Sequence, residues 1–200
     1  MLDRLGLQRF GAFCGFVVPI VAFGCIGIAI MSYPEFSWFN NALSDLGVVY
    51  GVTAFVFNFG LFAAGLMCFF FAAMGLFNYF KPVDVVGKLG SIVFAVAAVW
   101  LMAIGIFNES FWSIHFIVAI LLFVTMPVAL LILTVTLYQH KEVKLAVFTL
   151  FSSFIAATPW LLYLIVPYVP NVAIPETISS LVCSIWIVVL SYRILKTVKS

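Results

Sequence analysis

Asn41, Ser44, Asp45, Asn108, Glu109, His115 and Glu176 are the residues best equipped for chemistry in a chain with few such groups. Ser44, His115 and a carboxylate are the residue types of nucleophilic hydrolysis. No G-x-S-x-G turn or other placed nucleophile accompanies them, so no catalytic residue is assigned. One imidazole with several carboxylates would suit a hard cation better than zinc, and a lone histidine on that side excludes a three-histidine zinc hydrolase. The four cysteines, Cys14, Cys25, Cys68 and Cys183, lie inside apolar runs without metal-type spacing, so no metal, cofactor or disulfide framework is expected.

The plainest role for the carboxylates is capping. Asp45, Glu109 and Glu176 fall near the starts of apolar runs, where an acid satisfies free N–H groups and the helix dipole for about 0.3–1 kcal/mol. Their combination points further. Three acids, His115, Ser44, Asn41 and Asn108 occupy one side of a chain almost devoid of other charge. The expectation is a mouth in which Asp45, His115 and Glu176 bind a ligand, supported by Ser44, Asn41, Asn108 and Glu109.

What must position these residues is a membrane. Of 200 residues, 66% are hydrophobic and only 8% charged, far below the charge that a water-soluble domain needs for its surface. A net charge of +2 with no long Lys/Arg block excludes nucleic acid as a partner. Crossing hydrocarbon takes about 20 apolar residues of helix. Six runs meet that length: Phe10 to Met31, Val48 to Phe80, Leu89 to Phe107, Ile114 to Tyr138, Leu145 to Val166 and Thr177 to Leu195. The first is too long for a signal-peptide core and reads as a retained anchor.

Basic residues mark the cytoplasmic side of a membrane protein. All nine lie before span one (Arg4, Arg9), between two and three (Lys81, Lys88), between four and five (Lys141, Lys144) or at the end (Arg193, Lys196, Lys199). The other connections hold only Glu35, Asp45, Glu109 and Glu176. The expected fold is an all-α polytopic membrane protein, residues 1–200 forming one domain of six transmembrane helices as three antiparallel hairpins. Both termini are expected in the cytoplasm of a cell-membrane, multi-pass protein.

Ser32, Pro34 and Glu35 have the spacing of a capping box and predict a short interfacial helix in the first outer loop. Helical geometry would set Asn41, Ser44 and Asp45 on one face and point Asn58 elsewhere. Glu176, Ser180 and Cys183, with Ser184 at the margin, share a face that runs into the bilayer. Gly11/Gly15 and Gly47/Gly51 allow close helix contact, and Pro19, Pro127 and Pro159 shape their spans. No ionisable residue stands near mid-span, which argues against an ion pathway.

Asn41-Ala-Leu-Ser-Asp-Leu-Gly47, His115-Phe116 before a span containing Pro127, and Ala173-Ile-Pro-Glu176 resemble an integral-membrane family known as domain of unknown function nine-nine-eight. The resemblance covers nearly the whole chain, implies a six-helix protein and supplies no activity. A more distant similarity is to the Frag/DRAM/Sfk group of membrane proteins. The leading expectation is therefore an outward-facing acidic and His-containing pocket for a lipid headgroup or small polar ligand, with membrane lipids as partners. The alternatives are an accessory subunit with a membrane-protein partner, whose carboxylates would stay apart, and a membrane-embedded lipid hydrolase or transferase. Whether the chain is an enzyme is left open.

Overall fold

Hydrocarbon offers the backbone no hydrogen-bond partners, so each apolar run closes its own bonds as helix. The computed structural model describes residues 4–199, and among them there are six long helices and no strand. These are α1 (Arg4–Met31), α2 (Val52–Tyr79), α3 (Val85–Ile106), α4 (Trp112–Gln139), α5 (Val143–Ile165) and α6 (Ala173–Lys199). All six are long and apolar enough to cross a membrane.

The helices extend past or stop short of the apolar runs for local reasons. Val48 does not start α2, because the chain passes through Gly51 at φ 94°, a left-handed conformation that an L side chain resists. Asp84 starts α3 ahead of Leu89 by accepting the Gly87 N–H at 2.8 Å.

Each helix packs on its chain neighbour, and α6 closes on α1. The connections gather at two ends. At one, Arg4 donates to the carbonyl oxygens of Asn78 and Phe80 at 2.8 and 2.7 Å, and Arg193 pairs with Glu142 at 2.9 Å. This is the basic end. At the acidic end, the Ala173 N–H donates to Asn41 O at 3.1 Å and Asn108 Nδ2 donates to Gly47 O at 3.2 Å.

Without a hydrophobic drive between helices in lipid, close packing of small residues must hold the bundle. Gly11 supplies it: a Cβ there would lie 2.1 Å from the Gly75 backbone nitrogen. Gly75 belongs to a wide π turn, Phe71–Leu76, within α2. Phe71 at the head of that turn meets Phe94 and Trp186 edge-on, with ring centroids 5.8 and 6.3 Å away. The indole N–H of Trp186, which is fully buried, donates to Thr149 Oγ1 at 2.9 Å, so one aromatic cluster joins α2, α3, α5 and α6. Large apolar side chains such as Phe13, Ile20, Phe55, Phe151 and Ile185 cover the outside.

Gly11→Ala is expected to destabilise the protein by about 1–3 kcal/mol, because backbone rather than a movable side chain blocks the new methyl. Gly24→Ala, with open space around it, is expected to be neutral or stabilising. Thermal unfolding in detergent separates the two outcomes.

Candidate functional site at the acidic end

The first connection does not form the interfacial helix that Ser32 and Glu35 suggest. Residues 32–43 are turns and irregular backbone, followed by a single 3-10 turn, Ser44–Gly47. Ser32 closes α1 instead, its hydroxyl donating back to Ile28 O. Asn41 then competes for the backbone: its Oδ1 accepts the Ser37 N–H at 2.9 Å, while its own N–H donates to Ser37 O at 3.0 Å. Such side-chain bonds favour turns over helix.

That irregular backbone needs partners, and the carboxylates provide them. Asp45 Oδ2 accepts from Asn41 Nδ2 at 2.6 Å and from the Ala42 N–H at 3.0 Å. Glu176, in the first turn of α6, reaches across to accept the Leu43 N–H on Oε2 at 2.7 Å. Ser44 donates its hydroxyl to Glu109 Oε1 at 2.7 Å. Gly47 O accepts from Asn108 Nδ2 at 3.2 Å and from Asn58 Nδ2 at 2.8 Å. Asn58 therefore joins the patch that helical geometry separates it from, because the break at Gly51 turns α2 back toward Gly47.

Of the seven residues singled out from sequence, Asn41, Ser44, Asp45, Asn108, Glu109 and Glu176 meet around one short segment. The carboxylates of Glu109 and Asp45 face each other, and Glu176 lies within the field of both. His115 stands to one side. It is buried, its Nδ1 lies 2.7 Å from Phe107 O, and it reaches the cluster only electrostatically, through Glu109. Since Ser44 bonds Glu109 and His115 bonds a carbonyl, no serine–histidine pair forms. Among the described residues, no three His, Cys, Asp or Glu side chains are placed to hold a metal ion.

Two features distinguish this cluster from ordinary capping. Glu109 and Glu176 take donors from another element rather than from their own helix starts. The side chains of Glu109 and Asp45 also lie within hydrogen-bonding reach of each other, so a proton between them would join two of the three acids.

Within the bundle lies a cavity of about 80 Å³. Every helix lines it, as Val18, Leu61, Leu101, Met126, Ala156 and Cys183 illustrate. It is apolar except along α6, where Ser179, Ser180 and Ser184 face it. Ser179 and Ser180 follow Glu176 by three and four positions, so they lie on the same side of α6 as Glu176.

The basic end holds a second polar network that sequence reasoning treated only as membrane anchoring. Asp84 Oδ2 accepts from Thr136 Oγ1 and lies against His140 Nε2, both at 2.6 Å. Glu142 pairs with Arg193 and accepts the Tyr79 hydroxyl. The signal was present in the acids of the two short connections, Asp84 and Glu142, each beside basic residues. Burial opposes the charge of Asp84, but Thr136, the Gly87 N–H and His140 outweigh it and hold the carboxyl below its ordinary range. Arg193 and Tyr79 do the same for Glu142 against burial.

A helical bundle with six membrane-length helices and an acidic patch over an apolar cavity defines a polytopic membrane-type protein. The family described as Protein of unknown function (DUF998) matches residues 16–193, and the chain belongs to it. No curated protein and no solved structure matches the chain.

Glu176→Ala removes the acceptor of the Leu43 N–H and is expected to cost about 1–3 kcal/mol, with faster proteolysis of residues 32–47; Glu176→Gln keeps an acceptor and should lose less. At the other end, the lowered carboxyls of Asp84 and Glu142 stabilise the fold fully above their unfolded values, near pH 4, and less as pH falls through the folded ones. Thermal stability should therefore fall on acidification below about pH 4. Asp84→Asn with Glu142→Gln should flatten that slope.

Proposed function

We propose that this chain is a lipid-binding protein of the cell membrane. Its helices run as three antiparallel hairpins with both termini in the cytoplasm, the orientation that the basic residues favour. Part of one acyl chain of a membrane lipid enters the cavity, and the headgroup rests at the outward-facing acidic cluster. The observation that carries this reading is the continuity along α6, from Glu176 through Ser180 and Ser184 into an apolar space walled by all six helices.

The chemistry of the cluster favours one kind of headgroup. Asp45, Glu109 and Glu176 gather three acids in one place, and no Lys or Arg lies in the connections at that end. Facing carboxylates repel one another unless a proton or donor group intervenes. An ammonium or polyhydroxyl headgroup answers that need, whereas a bare anionic headgroup would add repulsion. Ser44, Asn41 and Asn108 hold the frame, and His115 stabilises Glu109 from behind.

Lipid analysis of gently purified protein tests this. Wild type is expected to retain a near-stoichiometric lipid bearing such a headgroup. Ala22→Phe or Ser184→Phe, which fill the cavity, should remove the lipid while preserving the melting temperature. Unchanged lipid retention in both folded variants would refute the assignment.

A further inference from the structure

A second pocket, at the basic end and remote from the lipid site proposed above, has a different chemistry. Gln8, Tyr79, Phe80, Lys81, His140 and Glu142 line it, with Leu137 and Thr197 completing the wall. Its volume is about 340 Å³.

The partners of these side chains determine what it can hold. Glu142 is fully engaged, one oxygen accepting the Tyr79 hydroxyl and the other paired with Arg193. Asp84, just behind the pocket wall, is engaged by Gly87, Thr136 and His140. The Gln8 amide donates to Asn78 O. Both acids are thus neutralised within the protein. The cations are not: Arg4 is held by the carbonyls of Asn78 and Phe80, and Lys88 by the carbonyl of Phe77, so neither has a carboxylate hydrogen-bond partner among the described residues. Lys81 is exposed and has no partner among the described residues. His140 is tethered by Nε2 to Asp84, which fixes the ring while leaving Nδ1 without a partner among the described residues. When the imidazole is charged, Nδ1 carries a second donor.

We infer that this pocket binds a phosphate group, with the Lys81 ammonium and the Asp84-oriented imidazole of His140 as its principal donors. Lys81 and His140 line the pocket while its one acid, Glu142, is already paired with Arg193, and that balance favours an anion. The position requires one found where the helices end: basic pockets between membrane helices sit at the depth of lipid phosphates. The same donors would take either a phospholipid headgroup or free phosphate. Asp84 is a positioning residue, fixing the ring through Nε2.

The test uses the full chain. Purified protein is titrated with inorganic phosphate in uncharged detergent, followed by phosphorus NMR. In parallel, it is reconstituted in phosphatidylcholine nanodiscs doped with phosphatidic acid, and the enrichment of phosphatidic acid around it is measured. Lys81→Gln and His140→Gln are each expected to weaken binding about tenfold. Lys144→Gln, an exposed lysine outside the pocket, should leave binding unchanged. Binding in both arms with this pattern supports a site open to free phosphate, and binding of phosphatidic acid alone assigns it to the lipid. Absence of binding in both arms would overturn the inference. Equal weakening by Lys144→Gln would overturn it too, since that is the mark of diffuse surface charge. Lys81 is exposed, so its variant is expected to fold even if His140→Gln does not. Lipid held in the central cavity should be unaffected by Lys81→Gln, which separates failure here from failure of the outward-facing site.

Discussion

A stretch of irregular backbone at the edge of a helical bundle must find partners for its amides, because the packed helices beside it have none to lend. Asn41–Gly47 is that stretch, and the acidic end is organised around satisfying it. Asp45 answers Ala42, Glu176 answers Leu43, and Asn108 and Asn58 answer Gly47. The donors and acceptors come from α2, α6 and the connection ahead of α4. One short segment therefore ties elements far apart in sequence, and the carboxylates that tie them gather at a single point.

The gathering has an electrostatic consequence. Three acids around seven residues, with no Lys or Arg in the same connections, disfavour one another's charged forms. The cavity below follows from packing rather than charge. Gly11 against Gly75 draws α1 onto α2 at the basic half, and the cluster of Phe71, Phe94 and Trp186 fills the middle. Closing α6 onto α1 leaves a space that small serines on α6 do not fill.

The helices were legible because hydrophobic length is a strong signal in a chain with so few charges. Gly11 was legible too, since GxxxG spacing anticipates close contact, although its partner Gly75 lies outside any such pair. The site residues were found by type, by being polar where little else is. Their arrangement was not, for an identifiable reason: helical spacing was extended through Asn41–Asp45 into α2, whereas Gly51 at φ 94° and the bonds between Ser37 and Asn41 break that register. The placing of Asn58 fails on that assumption, whereas the interfacial helix fails because Ser32 bonds back to Ile28 and Asn41 turns the backbone at Ser37. The Asp84–His140 and Glu142–Arg193 pairs were missed because basic residues at span ends already had a sufficient explanation in membrane topology.

The central claim is that a lipid chain lies among the six helices rather than only around them. Photolabelling with a phospholipid carrying a diazirine in mid-chain addresses this directly, followed by mapping of the labelled residues. The account predicts labels on cavity residues such as Met126, Ser180 and Cys183. Labels confined to outward-facing residues such as Phe13, Phe55 and Phe151 would contradict it.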